Sequence, residues 1–113
     1  VDARERLREC LEVRASIGDR RGVAECLESG AVVAVGIGAY TQAARLLGAA
    51  ERLREVIGAP IPSLDRAVHE RLHAEVRRVL GEEVFASAFV EGHAPGVGLP
   101  EDQALAWFDA TVS

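Results

Sequence analysis

Displaced by 40 residues, the chain falls on itself: Ala3 on Ala43, Leu7 on Leu47, Cys10 on Ala50, Val13 on Leu53, Arg14 on Arg54, and Ile17-Gly18 on Ile57-Gly58. Displaced by 45, a second register appears, with Arg21 on Arg66, Val23 on Val68, Glu25 on Glu70, Leu27 on Leu72, Ala31 on Val76, Ala34 on Val79 and Gly36 on Gly81. The two displacements differ by the segment Ala59 to Ser63. A repeat of this length marks stacked supersecondary units, none of which can bury its apolar face alone. The registers define two kinds of helix, A and B, in the order B, A, B, A. A chain that opens on a B helix is expected to be a fragment whose preceding partner is missing, so Val1 is not expected to be a natural N-terminus.

Each repeated segment carries helical signals. From Tyr40, Ala43, Leu46, Leu47, Ala50, Leu53 and Ile57 recur three or four apart, which places them on one side of a helix. Gly58 closes that helix, and Pro60 and Pro62 prevent its continuation. Its alanines, Ala43, Ala44, Ala49 and Ala50, allow a neighbouring helix to approach closely. An earlier stripe, Ala3, Leu7, Cys10, Leu11 and Ile17, stops at Gly18-Asp19. A second helix, about Arg20 to Val35, turns Val23, Leu27, Ala31 and Ala34 inward and stops near Gly36-Ile37-Gly38. A fourth begins with Ser63 as N-cap and Asp65 in its first turn, and ends at Gly81. A fifth, Glu82 to Glu91, presents Phe85, Ala88 and Phe89 before Gly92. The segment from Ala94 to Pro100 reads as a loop, and a sixth helix starts at Pro100, with Ala104, Leu105, Phe108 and Val112 as its stripe and Trp107 beside it. The expected fold is therefore all-α: an antiparallel helix-hairpin array of about six helices in one domain over residues 1–113.

Composition narrows what such an array can do. All thirteen basic side chains are arginine, against eighteen carboxylates, for a net charge of -5. An acidic surface without a basic stripe lacks the electrostatic term that drives nucleic-acid binding, so direct contact with DNA or RNA is not expected. No run approaches the ~20 apolar residues of a membrane span, and Val1 leads straight into charged helix without a signal-peptide pattern. Cys10 and Cys26, sixteen residues apart, could form a disulfide, but the favoured reading is two small buried thiols in a reducing, cytoplasmic setting. The charge clusters Arg4-Glu5-Arg6-Arg8-Glu9 and Glu51-Arg52-Arg54-Glu55 read as solvated helix faces.

One literal catalytic pattern is present. His69-Glu70-Arg71-Leu72-His73 matches H-E-x-x-H, which on a helix sets two imidazoles on one face to hold zinc and a glutamate to take a proton from metal-bound water. Against it stand the cation Arg71 inside the motif, the want of an evident third ligand, and the counterparts Glu25 and Leu27 that Glu70 and Leu72 already have in the repeat. The glycine pairs at Gly36-Gly38 and Gly96-Gly98 lack the flanks of a phosphate loop. Cys26 lies in an Ala- and Val-lined helix where a thiolate is disfavoured. No catalytic residue, cofactor or metal site is expected. Stacked helix pairs curve, and the A helices commonly line the hollow side. Arg21, Glu25, Glu28, Arg66, Glu70, His73 and Arg77 are then the polar residues offered there to a protein or peptide partner, or to a second copy of the chain.

Leu27, Ala31, Ala34, Tyr40, Ala43, Leu47 and Ala50, with Pro60 ten residues on, resemble the spacing of a tetratricopeptide repeat (TPR). GDRRGVAECLE from Gly18, ARLLGAAERLREVIGAP from Ala44 and GEEVFASAFVEGHA from Gly81 resemble the C-terminal helical region of large bacterial regulators. These are the ATPase-containing LuxR-type transcriptional regulators and their relatives with a cyclase or kinase domain. The likeness runs from Asp2 to Ala94. It implies a right-handed TPR-like superhelix placed after a nucleotide-binding switch domain, acting as sensor arm, oligomerisation surface or partner dock in a transcriptional or signalling regulator. Neither a Walker motif nor a DNA-reading helix lies within the sequence, so ATP and DNA are expected only through other domains of a parent chain. A stand-alone scaffold or homo-oligomerisation module is the second reading, and a zinc-dependent hydrolase the third.

Overall fold

The computed structural model describes residues 3–94, which form α1 (Ala3–Ser16), α2 (Arg20–Gly36), α3 (Tyr40–Ile57), α4 (Ser63–Leu80) and α5 (Glu82–His93), with no strand among them. The sixth helix and Trp107 lie outside the described residues, as does almost all of the loop preceding them.

The first three helices end in the same way. Gly18, Gly38 and Gly58 have φ of 72°, 81° and 67°, a backbone region that costs glycine nothing. The next residue's amide then folds back onto the last turn: Asp19 donates to the Arg14 carbonyl at 2.8 Å, Ala39 to Ala34 at 2.7 Å, and Ala59 to Arg54 at 3.0 Å. This six-residue closure satisfies carbonyls that the helix would otherwise orphan. Gly81, at φ 82°, serves as C-cap of α4 and N-cap of α5, so these two helices turn without a loop. Asp19 caps α2 through its carboxylate, which accepts from the Gly22 amide at 2.9 Å. At α4 the expected cap shifts by one residue: Pro62 occupies the N-cap without a side-chain hydrogen bond, and Ser63 is already helical.

α3 is the centre of the molecule. It packs extensively on α2 and α5 and more lightly on α4, whereas α1 packs on α2. From Ala43 to Ala50 every residue but Arg45 is buried, which a helix with so many Ala and Gly permits because its neighbours come close to its backbone. The crossing with α5 is closest. A Cβ at Gly48 would collide with the Phe89 carbonyl oxygen, and one at Gly92 with the Arg45 carbonyl oxygen. Gly92 is thus no helix stop. It lies buried inside α5, and its missing side chain is the contact. Gly30 is buried in α2, and the space a side chain would take there is filled by Leu7 and Leu46.

Cys10 and Cys26 are corrected from free thiols to a disulfide joining α1 to α2. The tight turn at Gly18 folds the two helices together so that these positions face each other with Cα atoms 6.2 Å apart, inside the range a disulfide spans. Closing a loop of this length in the unfolded chain is worth about 3 kcal/mol.

Candidate functional site

α4 is amphipathic yet buries only Val76. It is reached through the inserted segment after α3, residues 58–62. Arg54 holds that segment in place. Its side chain is 6% exposed, and the guanidinium forms a two-pronged pair with Glu28 on α2, Nε donating to Oε2 at 2.7 Å and Nη2 to Oε1 at 2.9 Å. Nη1 donates to the Ala59 carbonyl at 3.0 Å. The hydrogen bond to Glu28, opposed by burial, raises the Arg54 pKa above its usual value. Arg54 was expected on a solvated face, and the structure buries it instead. Its repeat counterpart Arg14 does a similar task closer to the surface, reaching Asp19 at 3.0 Å and Glu25 at 4.0 Å. Asp19 occupies the place that Ala59 takes in the second unit.

Beside this anchored pair, α2 and α4 stand apart and leave an open groove of about 500 Å³. Val32, Ile61, Pro62, Val68 and Leu72 give it an apolar floor, and Glu25, Glu28, Asp65 and His69 its polar edge. Val32 and Val68 are 56% and 59% exposed, large values for residues that face one another across a cleft. Among the described residues, Arg54 is the one cation lining the groove and is already engaged by Glu28, so Glu25 and Asp65 set its sign. A second hollow of about 350 Å³ adjoins it, sharing Glu28, Arg54, Ile61 and His69 and extending to Glu51 and Glu55 of α3.

The structure divides the residues picked from sequence. Glu25 and Glu28 line the groove, Glu28 with its carboxylate engaged by Arg54. Arg21, Arg66 and Glu70 are exposed and do not line it. Arg77 lies with its guanidinium 4.6 Å from the centre of the Phe85 ring and pairs with Glu82 at 3.1 Å. His73 is turned toward α5, its ring 6.0 Å from Phe85 and 5.8 Å from Phe89. Sequence reasoning missed Asp65, Val68, His69 and Leu72. The repeat did contain the signal: Val68 matches Val23, which is buried, and only an uncovered helix could leave it exposed.

The H-E-x-x-H motif is assembled in part. The His69 and His73 rings lie 4.5 Å apart, but Glu70 is exposed. Burial, and then the neighbouring His69 and Arg77 charges, push the His73 pKa down to about 4, and its buried Nε2 has no hydrogen-bond partner. This is a neutral imidazole in an aromatic cluster. Among the described residues, the three side chains grouped closely enough to share a metal ion are Glu51, Glu55 and His93, none of them from the motif.

Comparison with protein-family profiles, curated proteins and solved structures finds no match to this chain. No described helix is long and apolar enough to cross a membrane.

Proposed function

We propose that this chain is a non-catalytic protein-interaction module, a TPR-like array that receives a peptide segment in the groove between α2 and α4. The observation that carries this reading is the groove itself: apolar side chains left half exposed on two facing helices, under an acidic rim. An apolar floor edged by Asp65 and by Glu25, whose pair with Arg14 is long at 4.0 Å, fits a segment that carries large apolar residues and arginine or lysine. α2 and α4 are the A helices of the repeat, the ones that a TPR-like superhelix would turn toward its hollow side.

In the reading drawn from the sequence resemblance, the module belongs to a bacterial transcriptional or signalling regulator. A partner that favours one packing of the array then biases an attached switch domain. A cytoplasmic setting goes with that resemblance, and the Cys10–Cys26 disulfide stands against it, since a reducing compartment opens such bonds.

The test is selection of displayed random peptides on the intact chain, followed by binding measurements. Enriched sequences should combine apolar and basic residues and lose at least about tenfold in affinity against Val68→Asp or Asp65→Arg, both exposed and so compatible with folding. Arg66→Glu, outside the groove, should bind unchanged. Peptides that bind all variants alike, or no enrichment, would end the proposal. Self-association abolished by the same two substitutions would assign the groove to a second copy of the chain.

A further inference from the structure

At the crossing of α3 and α5, three potential metal ligands meet from two helices. Glu51 and Glu55 lie one turn apart on α3, and His93 sits in the last turn of α5. Their ligand atoms all fall within 4.8 Å of one another, and His93 Nε2 lies 2.9 Å from Glu55 Oε1. Four-coordinate zinc, with bonds of ~2.0–2.1 Å to nitrogen and oxygen, sets its ligands about 3.3 Å apart. Side-chain rotations alone can bring the three atoms to that spacing.

We propose that Glu51, Glu55 and His93 form a zinc-binding site that clamps the end of α5 to α3. Three features beyond the grouping favour it. The helices cannot slide at this point, because the backbone contacts at Gly48 and Gly92 fix where His93 stands relative to Glu55. The His93 ring is stacked on Phe89, with centroids 6.0 Å apart and 18° between planes, so its orientation is set before an ion arrives. Finally, Arg54, which lines the same hollow as Glu51 and Glu55, is engaged by Glu28 at 2.7 Å and does not neutralise them. Imidazole with carboxylates is a donor set suited to zinc. Glu51 and Glu55 also line the hollow of about 350 Å³, which has room for the water that would complete the shell. The three ligands are not residues of the H-E-x-x-H pattern and do not line the peptide groove, although the hollow they border adjoins that groove and includes His69.

Calorimetric titration of the full chain with zinc chloride, with the Cys10–Cys26 disulfide intact, tests this. One equivalent should bind, and His93→Ala, Glu55→Gln and Glu51→Gln should each weaken binding at least about tenfold, with His73→Ala unaffected. Glu51 is exposed, so its conversion to Gln leaves the fold intact and keeps the test decisive even if His93→Ala unfolds. No binding by the parent chain overturns the proposal. So does binding that His73→Ala removes and Glu51→Gln leaves alone, which would assign the ion to the H-E-x-x-H motif.

Discussion

Gly92→Ala is the most demanding perturbation of this fold, because sequence rules and structure predict opposite signs for it. In an isolated helix, alanine is better than glycine by about 1 kcal/mol. In the structure the new methyl would meet three backbone atoms of Arg45, among them its carbonyl carbon at 2.8 Å and its Cα at 3.0 Å. A flexible side chain could turn away, but a helix backbone cannot. The helices must separate along the crossing that fixes Phe85, Ala88 and the end of α5. Overpacking costs about 1–3 kcal/mol where side chains can adjust, and the upper end applies against backbone. Subtracting the propensity gain leaves a net loss of about 2 kcal/mol, or a fall in Tm of roughly 10 °C at about 4–8 °C per kcal/mol. Gly36→Ala is the internal control, since a Cβ there meets nothing within 4 Å, and it should be neutral or stabilising by up to about 1 kcal/mol. Thermal and urea unfolding followed by circular dichroism read both. If Gly92→Ala raises Tm as Gly36→Ala does, the close crossing of α3 and α5 is wrong.

Two further expectations follow from buried charge. Arg54→Ala strands the Glu28 carboxylate and the Ala59 and Pro60 carbonyls that the guanidinium also reaches, and should cost about 3–5 kcal/mol by urea unfolding; a loss below about 1 kcal/mol would mean the pair does not hold the α3–α4 segment. His73 titrates at about 4 in the fold against an ordinary 6.5, so protons favour the unfolded chain. Its contribution is complete above pH 6.5 and is lost as pH falls toward 4. A drop of this size corresponds to at most about 3.4 kcal/mol, and solvent screening of a half-buried ring reduces that to about 1–2 kcal/mol. Stability measured at pH 7.5 and pH 5 should therefore converge in His73→Phe, and an unchanged difference would remove His73 as its source.

Much of the fold was legible in the sequence because it depends on local signals. The apolar period, the glycines at positions 18, 38 and 58, and the prolines after α3 specify helices and their ends through backbone sterics that act within a few residues. The repeat told correctly that Leu27, Ala31, Leu47 and Ala50 face inward. The small residues of α3 told that another helix comes close, though not which one. Tertiary structure decided what depends on distances between helices. It paired Cys10 with Cys26, turned Gly92 from a stop into a contact, and buried Arg54, whose charge made it look solvated until Glu28 and the Ala59 carbonyl were found beside it. The candidate sites divide along the same line. Glu25 and Glu28 could be placed on the hollow side because helical phase fixes a residue's face. Asp65, Val68 and the meeting of Glu51 and Glu55 with His93 could not, because no local rule says how far apart two helices stand or which ends they bring together.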